Sequence, residues 1–308
     1  MTIMFSVVAL MALPILCGIG WRIIRPSGLD ADLTRQVLTT VVFNLLLPAL
    51  VLVVLWRSPL GWEALKISLF GIVVVAFGGA LAWGCCAPWR IERRRLGAAI
   101  LAIAFPNVTY FGLPVLEQSF GPWTRALVIQ IDLFAAMPMV LTLGAVIGRH
   151  YGEEPAHGAA SLWVSLLRNP PLWAAVLAVA LNLAEVPLPE VLGQMLDKLA
   201  GAVVPLMLVS LGLGLRWDSW RWRSAPLSGL VLVLRLAVAP GFGWLLGGLL
   251  GFGGDTLTAL VMEAGMPSMM LGVVYCDRYR LDTAFYAMVV ALTTLAGLVS
   301  LPVWRGLG

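Results

Sequence analysis

The sequence predicts an all-α integral membrane protein with ten transmembrane helices, and three observations lead to this fold class. Of the 308 residues, 60% are hydrophobic and only 12% are charged, whereas a soluble domain carries about 25% charged residues. Ten apolar runs follow one another with short polar loops between them. Two of these runs, 101–116 and 257–275, contain proline and polar residues near their centres. Because proline removes a backbone donor and clashes with the preceding turn, helices four and nine are expected to be broken.

The ten runs define ten predicted spans of about 20 residues each, the length that crosses a bilayer. The spans are 3–22, 35–56, 63–84, 96–120, 123–147, 170–188, 190–215, 226–250, 255–276 and 283–304. They divide the chain into a first five-helix repeat at 1–148, a cytoplasmic linker at 149–169 and a second five-helix repeat at 170–308.

A repeat of five spans is indicated by matching prolines. Pro48 in span two corresponds to Pro205 in span seven, and Pro106 in span four to Pro267 in span nine. The two pairs are separated by nearly the same number of residues. Because five is odd, the second copy must insert upside down, which predicts two inverted repeats.

The positive charges predict the orientation. Fourteen of the 20 lysines and arginines lie in the loops that follow the odd-numbered spans. Since basic loops stay in the cytoplasm, both termini are predicted to lie outside, on the periplasmic face of a bacterial inner membrane.

Several function classes are excluded by what the chain lacks. No nucleophile–base arrangement, zinc-ligand spacing or phosphate-binding loop occurs, so neither an enzyme nor a metal or cofactor site is predicted. The net charge of +4 comes from loop arginines between spans and does not indicate nucleic-acid binding.

The two interrupted spans are the strongest functional signal. Broken backbone inside hydrocarbon is tolerated only where protein buries it or where it lines a water-filled cavity, and such paired breaks indicate a transporter's binding site. Asn107 lies at the first break, where its amide is suited either to freed backbone groups or to a substrate. The predicted substrate-binding residues are Asn107, Pro106, Thr109, Pro267, Ser268, Asn44 and Arg235.

Charged residues inside the spans need a reason, because each costs about 2.5–3.5 kcal/mol at mid-bilayer. Glu263, one turn before Pro267, is suited to bind Na⁺ or H⁺, or to form a structural ion pair with Arg235 or Lys198. Arg235 is suited to hold an anionic substrate, or to neutralise Glu263 or Asp132. Asp132 is predicted to serve ion coupling, charge balance or packing between helices. Asp197 and Lys198 are interpreted as interfacial residues.

Taken together, six segments resemble the auxin efflux carrier family of membrane transporters, in its bacterial branch. They are PILCGIGWRIIRPSGL, VVFNLLLPALV, FPNVTYFGLPVL, IDLFAAMPMVLT, VVPLMLVSLGLGL and EAGMPSMMLGVVYCDRYRLD. They occur in the family's order over nearly the whole chain.

The resemblance implies a five-plus-five inverted-repeat fold in which broken helices four and nine cross, and a homodimer in the cell membrane. It also implies alternating-access transport of a small organic anion such as a carboxylate, bound beside Pro106, Asn107 and Pro267. The fold is shared with sodium–bile acid symporters, whose ninth helix has a glutamate before its break, as Glu263 is placed here. The alternatives are therefore a sodium-coupled symporter of a bile-acid-like acid and a membrane ligand sensor without transport.

Overall fold

The computed structural model describes residues 2–58, 61–89, 91–153, 169–214 and 224–307. Most of the predicted linker, at 154–168, lies outside the described residues. Five of the arginines used for the orientation also lie outside them: Arg90, Arg168, Arg216, Arg221 and Arg223.

The described residues form twelve α-helices, besides short 3₁₀ and π turns, and contain no β-strand. The helices are α1 (Thr2–Ile24), α2 (Ala31–Arg57), α3 (Trp62–Cys86), α4 (Arg93–Ala104), α5 (Leu113–Phe120), α6 (Thr124–Tyr151), α7 (Pro170–Leu183), α8 (Glu190–Gly214), α9 (Ala225–Leu249), α10 (Gly254–Ala264), α11 (Gly272–Arg278) and α12 (Thr283–Leu307). The all-helical class is thus confirmed.

Six of these helices are long and apolar enough to cross a membrane: α2, α3, α6, α8, α9 and α12. Segments Ala12–Ile24 and Pro170–Leu183 are apolar but shorter. Predicted spans four and nine are each divided into two short helices, α4 with α5 and α10 with α11. The full count of ten spans and their inverted arrangement stay predictions.

The chain divides into two compact units that each draw on both halves of the sequence. The first unit contains Met1–Leu65, Thr109–Leu133 and Gly158–Leu215, and the second contains Lys66–Val108, Phe134–His157 and Arg216–Gly308. Both helix breaks belong to the second unit.

The ends of several helices follow from local sequence. The side chain of Asp30 accepts hydrogen bonds from the backbone N–H groups of Leu33 and Asp32 and caps α2. The bond from Leu33 is the main reason that the pKa of Asp30 lies below its ordinary value. In α7, two prolines occupy the first positions, where a missing N–H removes no helical bond.

Within the first unit, α1 and α8 cross at two glycines. A Cβ atom added to Gly212 would lie 2.0 Å from the backbone oxygen of Ile15, and one added to Gly18 would lie 2.2 Å from that of Val209. The backbones are therefore so close that only glycine fits at this crossing. The side-chain amide of Asn182 in α7 donates to three carbonyls at the end of α2.

Four π turns widen the helices shortly before prolines. The turns are Val42–Leu46, Val108–Gly112, Asp132–Ala136 and Leu234–Val238. Each ends two residues before a proline, respectively Pro48, Pro114, Pro138 and Pro240. Proline cannot donate to the carbonyl four residues back, and its ring crowds that carbonyl, so the helix widens there. A fifth π turn, Val140–Gly144, has no proline at this spacing.

Each of the four proline-linked turns contains one of the polar residues that the sequence singled out: Asn44, Thr109, Asp132 and Arg235. Single π turns occur frequently at functional sites because they redirect side chains. At Pro240, the carbonyl left without a helical partner belongs to Leu236, and the indole N–H of Trp304 donates to it over 2.9 Å.

Replacing Gly212 by alanine is expected to lower the thermal midpoint of the purified protein, because the added methyl group overlaps the Ile15 carbonyl. Overpacking of this kind costs about 1–3 kcal/mol. The measurement is thermal unfolding in detergent. Gly229→Ala is the control, because no atom lies within 4 Å of its added Cβ, and this change should leave the midpoint equal or higher. Equal losses in both variants would contradict the close crossing.

Candidate functional site

The two helix breaks lie against each other and are joined by backbone hydrogen bonds. The N–H of Asn107 donates to the carbonyl of Pro267 over 2.7 Å, and the N–H of Met269 donates to the carbonyl of Phe105 over 2.9 Å. Pro106 and Ser268 therefore face each other as an isolated antiparallel bridge. We call residues 102–107 and 263–269, together with Arg235, the break site.

Both breaks occur where the sequence removes helical bonding. Phe105 ends α4 in an extended conformation, with φ −106° and ψ 111°, as expected for a residue that precedes proline. At the second break, the N–H of Gly265 returns to the carbonyls of Val261 and Met262 and closes α10. The prolines that the sequence singled out thus lie at both interruptions, and both are buried.

Arg235 binds the carbonyl groups that these interruptions release. Its Nε donates to the carbonyl of Met266 over 2.7 Å, its Nη2 to that of Ala264 over 2.6 Å, and its Nη1 to that of Ile103 over 3.0 Å. The side chain is completely buried. One guanidinium group therefore holds the C-terminal ends of α4 and α10 together, and three of its five N–H groups are used in doing so.

Ser268 and two residues of α12 complete the bonding of the breaks. The hydroxyl of Ser268 donates to the carbonyl of Ala102 over 2.8 Å, and its N–H donates to the Thr293 hydroxyl over 3.1 Å. The Tyr286 hydroxyl donates to the carbonyl of Met269 over 2.8 Å. The sequence analysis missed Thr293 and Tyr286. Both are polar residues inside the last apolar span, and a polar residue without an evident role in such a span is the signal that could have identified them.

Glu263 lies in the last turn of α10, with only 1% of its surface exposed. A negative charge at the C-terminal end of a helix opposes the helix dipole, so this position is unfavourable without a nearby cation. The guanidinium of Arg235 supplies that cation, because it interacts electrostatically with Glu263 and binds the carbonyl of the next residue, Ala264. Charge balance between Glu263 and Arg235, one of the two roles predicted for them, is compatible with this geometry.

The side-chain Nδ2 of Asn107 is a buried hydrogen-bond donor at the break site. Only 1% of Asn107 is exposed, and its Nδ2 has no hydrogen-bond partner within the part of the chain that the structure describes. The residue precedes the helical turn Val108–Gly112, whose first N–H groups have no partner inside the helix. A buried donor without a partner costs about 1–3 kcal/mol, so a group that accepts this hydrogen bond would be stabilised here.

Thr109 and Asp132 form a second polar pair, inside the first unit. The Thr109 hydroxyl donates to the Asp132 carboxylate, and both residues are buried. The pair links the turn that follows the first break to the π turn of α6. The structure thus brings together two residues that the sequence predicted separately, one for substrate and one for ion coupling.

Asn44 and Asp197 have other surroundings. Asn44 is exposed on α2 and its amide donates to the carbonyl of Thr40 in the same helix, over 2.8 Å. Asp197 is exposed and pairs with Arg57 at 3.0 Å, in agreement with its interpretation as an interfacial residue. Neither side chain contacts the break site in these interactions.

Comparison with known proteins shows that the chain is similar to membrane transporters. The sequence model of a family described as membrane transport protein matches residues 5–305. An uncharacterized transporter of Methanothermobacter thermautotrophicus is 28% identical over 306 residues, which cover 99% of both chains. An uncharacterized transporter of Methanocaldococcus jannaschii is 25% identical over 90% of this chain and 91% of its own. The uncharacterized transporter YfdV of Escherichia coli is 23% identical over 85% of each.

Replacing Thr109 by valine is expected to destabilise the protein, because the buried Asp132 carboxylate loses its hydroxyl donor while the side-chain volume is kept. Hydrogen bonds to charged groups contribute about 1.5–3 kcal/mol, so a clear loss in thermal midpoint should follow. The control is Thr40→Val, since the Thr40 hydroxyl is exposed and donates only to the Gln36 carbonyl of its own helix. A Thr109→Val midpoint equal to that of the control would show that the pair contributes nothing.

Proposed function

Because the chain belongs to the membrane transport protein family, the auxin efflux carrier-like family that its motifs predicted, we propose that it is a secondary transporter of a small organic carboxylate. The carrier works by alternating access, and the substrate binds at the break site. Ten spans in two inverted repeats, a homodimeric state and a bacterial inner membrane with both termini outside are parts of this proposal.

One observation carries the substrate assignment, namely the buried, unbonded Nδ2 of Asn107. This donor sits directly before the start of a helix, where backbone N–H groups and the helix dipole favour an anion. A carboxylate accepts hydrogen bonds and donates none, so it matches a site that offers donors. A neutral ligand would gain less from the same position.

The neighbouring residues give this site its shape. Pro106 and Pro267 keep both breaks open, and Ser268 ties them through the Ala102 carbonyl. Thr109 is fixed by Asp132, one helical turn or less beyond Asn107. Pro106, Asn107, Pro267 and Ser268, all within the second unit, are proposed to form the substrate pocket. Thr109, Asn44 and Arg235 keep the substrate role that the sequence predicted for them only as a prediction.

Alternating access requires parts that move as bodies, and the division into two compact units supports this mechanism. The second unit contains both breaks. Its internal hydrogen bonds, from Asn107 to Pro267 and from Met269 to Phe105, keep the two breaks together as one element. We therefore propose that the break site moves as a rigid piece with its substrate.

Glu263 is proposed to couple transport to an ion or to balance charge in the break site. Its carboxylate is buried beside the second break. Carriers with discontinuous helices bind coupling ions near half-helix C-terminal ends, and Glu263 lies at such an end. Removing its charge should therefore affect coupling more than substrate contact.

Asn107→Ala is expected to weaken carboxylate binding about 10- to 100-fold, because one hydrogen bond to a charged ligand contributes about 1.5–3 kcal/mol. The thermal midpoint without ligand should fall only by the packing lost from a buried side chain, since Nδ2 makes no described bond within the protein. The measurement is a thermal-shift screen of small mono- and dicarboxylates, indole acids and bile acids, each in sodium and in potassium. Flux into proteoliposomes then tests the acid that binds.

Gln194→Ala is the matched control for this test, since it removes an exposed amide that donates to Glu190 in its own helix. No shift with any acid in either salt would contradict the anion assignment and favour a neutral substrate or a ligand sensor. A sodium-dependent shift with bile acids alone would favour the symporter alternative.

Glu263→Gln is expected to abolish concentrative uptake while exchange or binding of the same acid partly persists, because glutamine keeps the size of the side chain and removes its charge. The measurement compares uptake against a gradient with counterflow in proteoliposomes. Glu190→Gln, in an exposed position at the start of α8, is the control. Unchanged concentrative uptake in Glu263→Gln would exclude the coupling role.

A further inference from the structure

The carbonyl groups around Arg235 form a site for a cation. Three backbone oxygens, those of Ile103, Ala264 and Met266, converge on one guanidinium at 2.6–3.0 Å. Ile103 belongs to the last turn of α4 and Ala264 ends α10. Two half-helix C-terminal ends thus point their negative dipole ends at the same position inside the protein.

The electrostatics of this position demand a positive charge. Each helix C-terminus carries roughly −0.5 elementary charge, and the Glu263 carboxylate interacts electrostatically with the same guanidinium. Water cannot screen them, since Arg235, Glu263 and Met266 are all almost completely buried. In carriers with discontinuous helices, unwound carbonyls and half-helix C-terminal ends of this kind coordinate Na⁺ or H⁺.

We propose that Arg235 is a tethered cation that fills this carbonyl site permanently, in place of an exchangeable monovalent ion. It is a positioning residue, which acts on the substrate through the two breaks that it joins. For the proposed carrier this means that sodium is not needed at the breaks during the transport cycle, so that the coupling proposed for Glu263 would use a proton; this consequence rests on the proposed function.

Arginine suits this role better than other cationic groups. Its planar fork donates to several oxygens at once and keeps its charge at neutral pH. The backbone that carries Arg235 is also fixed. Arg235 lies in the π turn before Pro240, and the Trp304 indole donates to the Leu236 carbonyl that this proline leaves free. The guanidinium is therefore positioned before any ligand arrives.

The test removes the tether and supplies the cation in solution. Arg235→Ala, purified in detergent without substrate, is expected to lose about 5 °C or more in thermal midpoint, because three carbonyls and a carboxylate lose their cation. Millimolar guanidinium chloride, far below denaturing concentrations, should recover a saturable part of this loss and leave the wild type unchanged. The wild-type midpoint should be the same in sodium and in potassium at equal ionic strength.

Two matched variants separate the site from general effects. Arg235→Met fills the same space without donors, so guanidinium should not rescue it. Arg57→Ala removes an exposed arginine that pairs with Asp197, and it should lose little. If Arg235→Ala does not fold, Arg235→Lys takes its place, with an intermediate midpoint expected because lysine keeps the charge but not the fork.

Two outcomes would overturn the proposal. The first is guanidinium acting equally on Arg235→Ala and on the wild type, or on neither. The second is a saturable, sodium-specific rise of the wild-type midpoint that Glu263→Gln abolishes, because this would place sodium among the same residues. Since no substrate is present, rescue by guanidinium would stand even if no carboxylate bound, and the proposed function alone would then fail.

Discussion

The structure depends on one constraint, which is that backbone carbonyls released in the buried interior of a membrane protein must find donors within the protein. Each unsatisfied group costs several kcal/mol there, because no water can replace the lost bond. Two helices that break side by side release many such groups at once. The guanidinium of Arg235 binds three of them, and Ser268 and Tyr286 bind two more. The two helix breaks are stable because these donors bind the carbonyl groups that the breaks release.

The same constraint explains how charge is handled inside the spans. Arg235 and Glu263 are costly one by one, yet each reduces the cost of the other, and the helix ends add their own negative potential. The Asp132 carboxylate follows the same rule with a hydroxyl donor from Thr109. Against this background, the Asn107 amide stands out as a donor without a protein acceptor in the described structure, which is why it carries the functional assignment.

Much of the site was predictable because proline acts locally. Pro106 and Pro267 predicted the interruptions from their missing N–H groups alone, and the π turns are explained in the same way by the prolines that follow them. Thr293, Tyr286 and Trp304 were not predicted as partners of the breaks. The spacing of a hydroxyl or an indole within an apolar span does not predict which distant backbone carbonyl it will bind.

The sequence by itself determined the helical membrane architecture, the family and the positions of both breaks, because hydrophobicity, proline chemistry and motif order are read along the chain. The tertiary structure alone decided which groups each polar residue contacts. It showed that Arg235 donates to the carbonyls of Ile103, Ala264 and Met266, and it joined Thr109 to Asp132. These partners are separated by 23 to 132 positions in sequence, and only folding brings such distant groups within hydrogen-bonding distance.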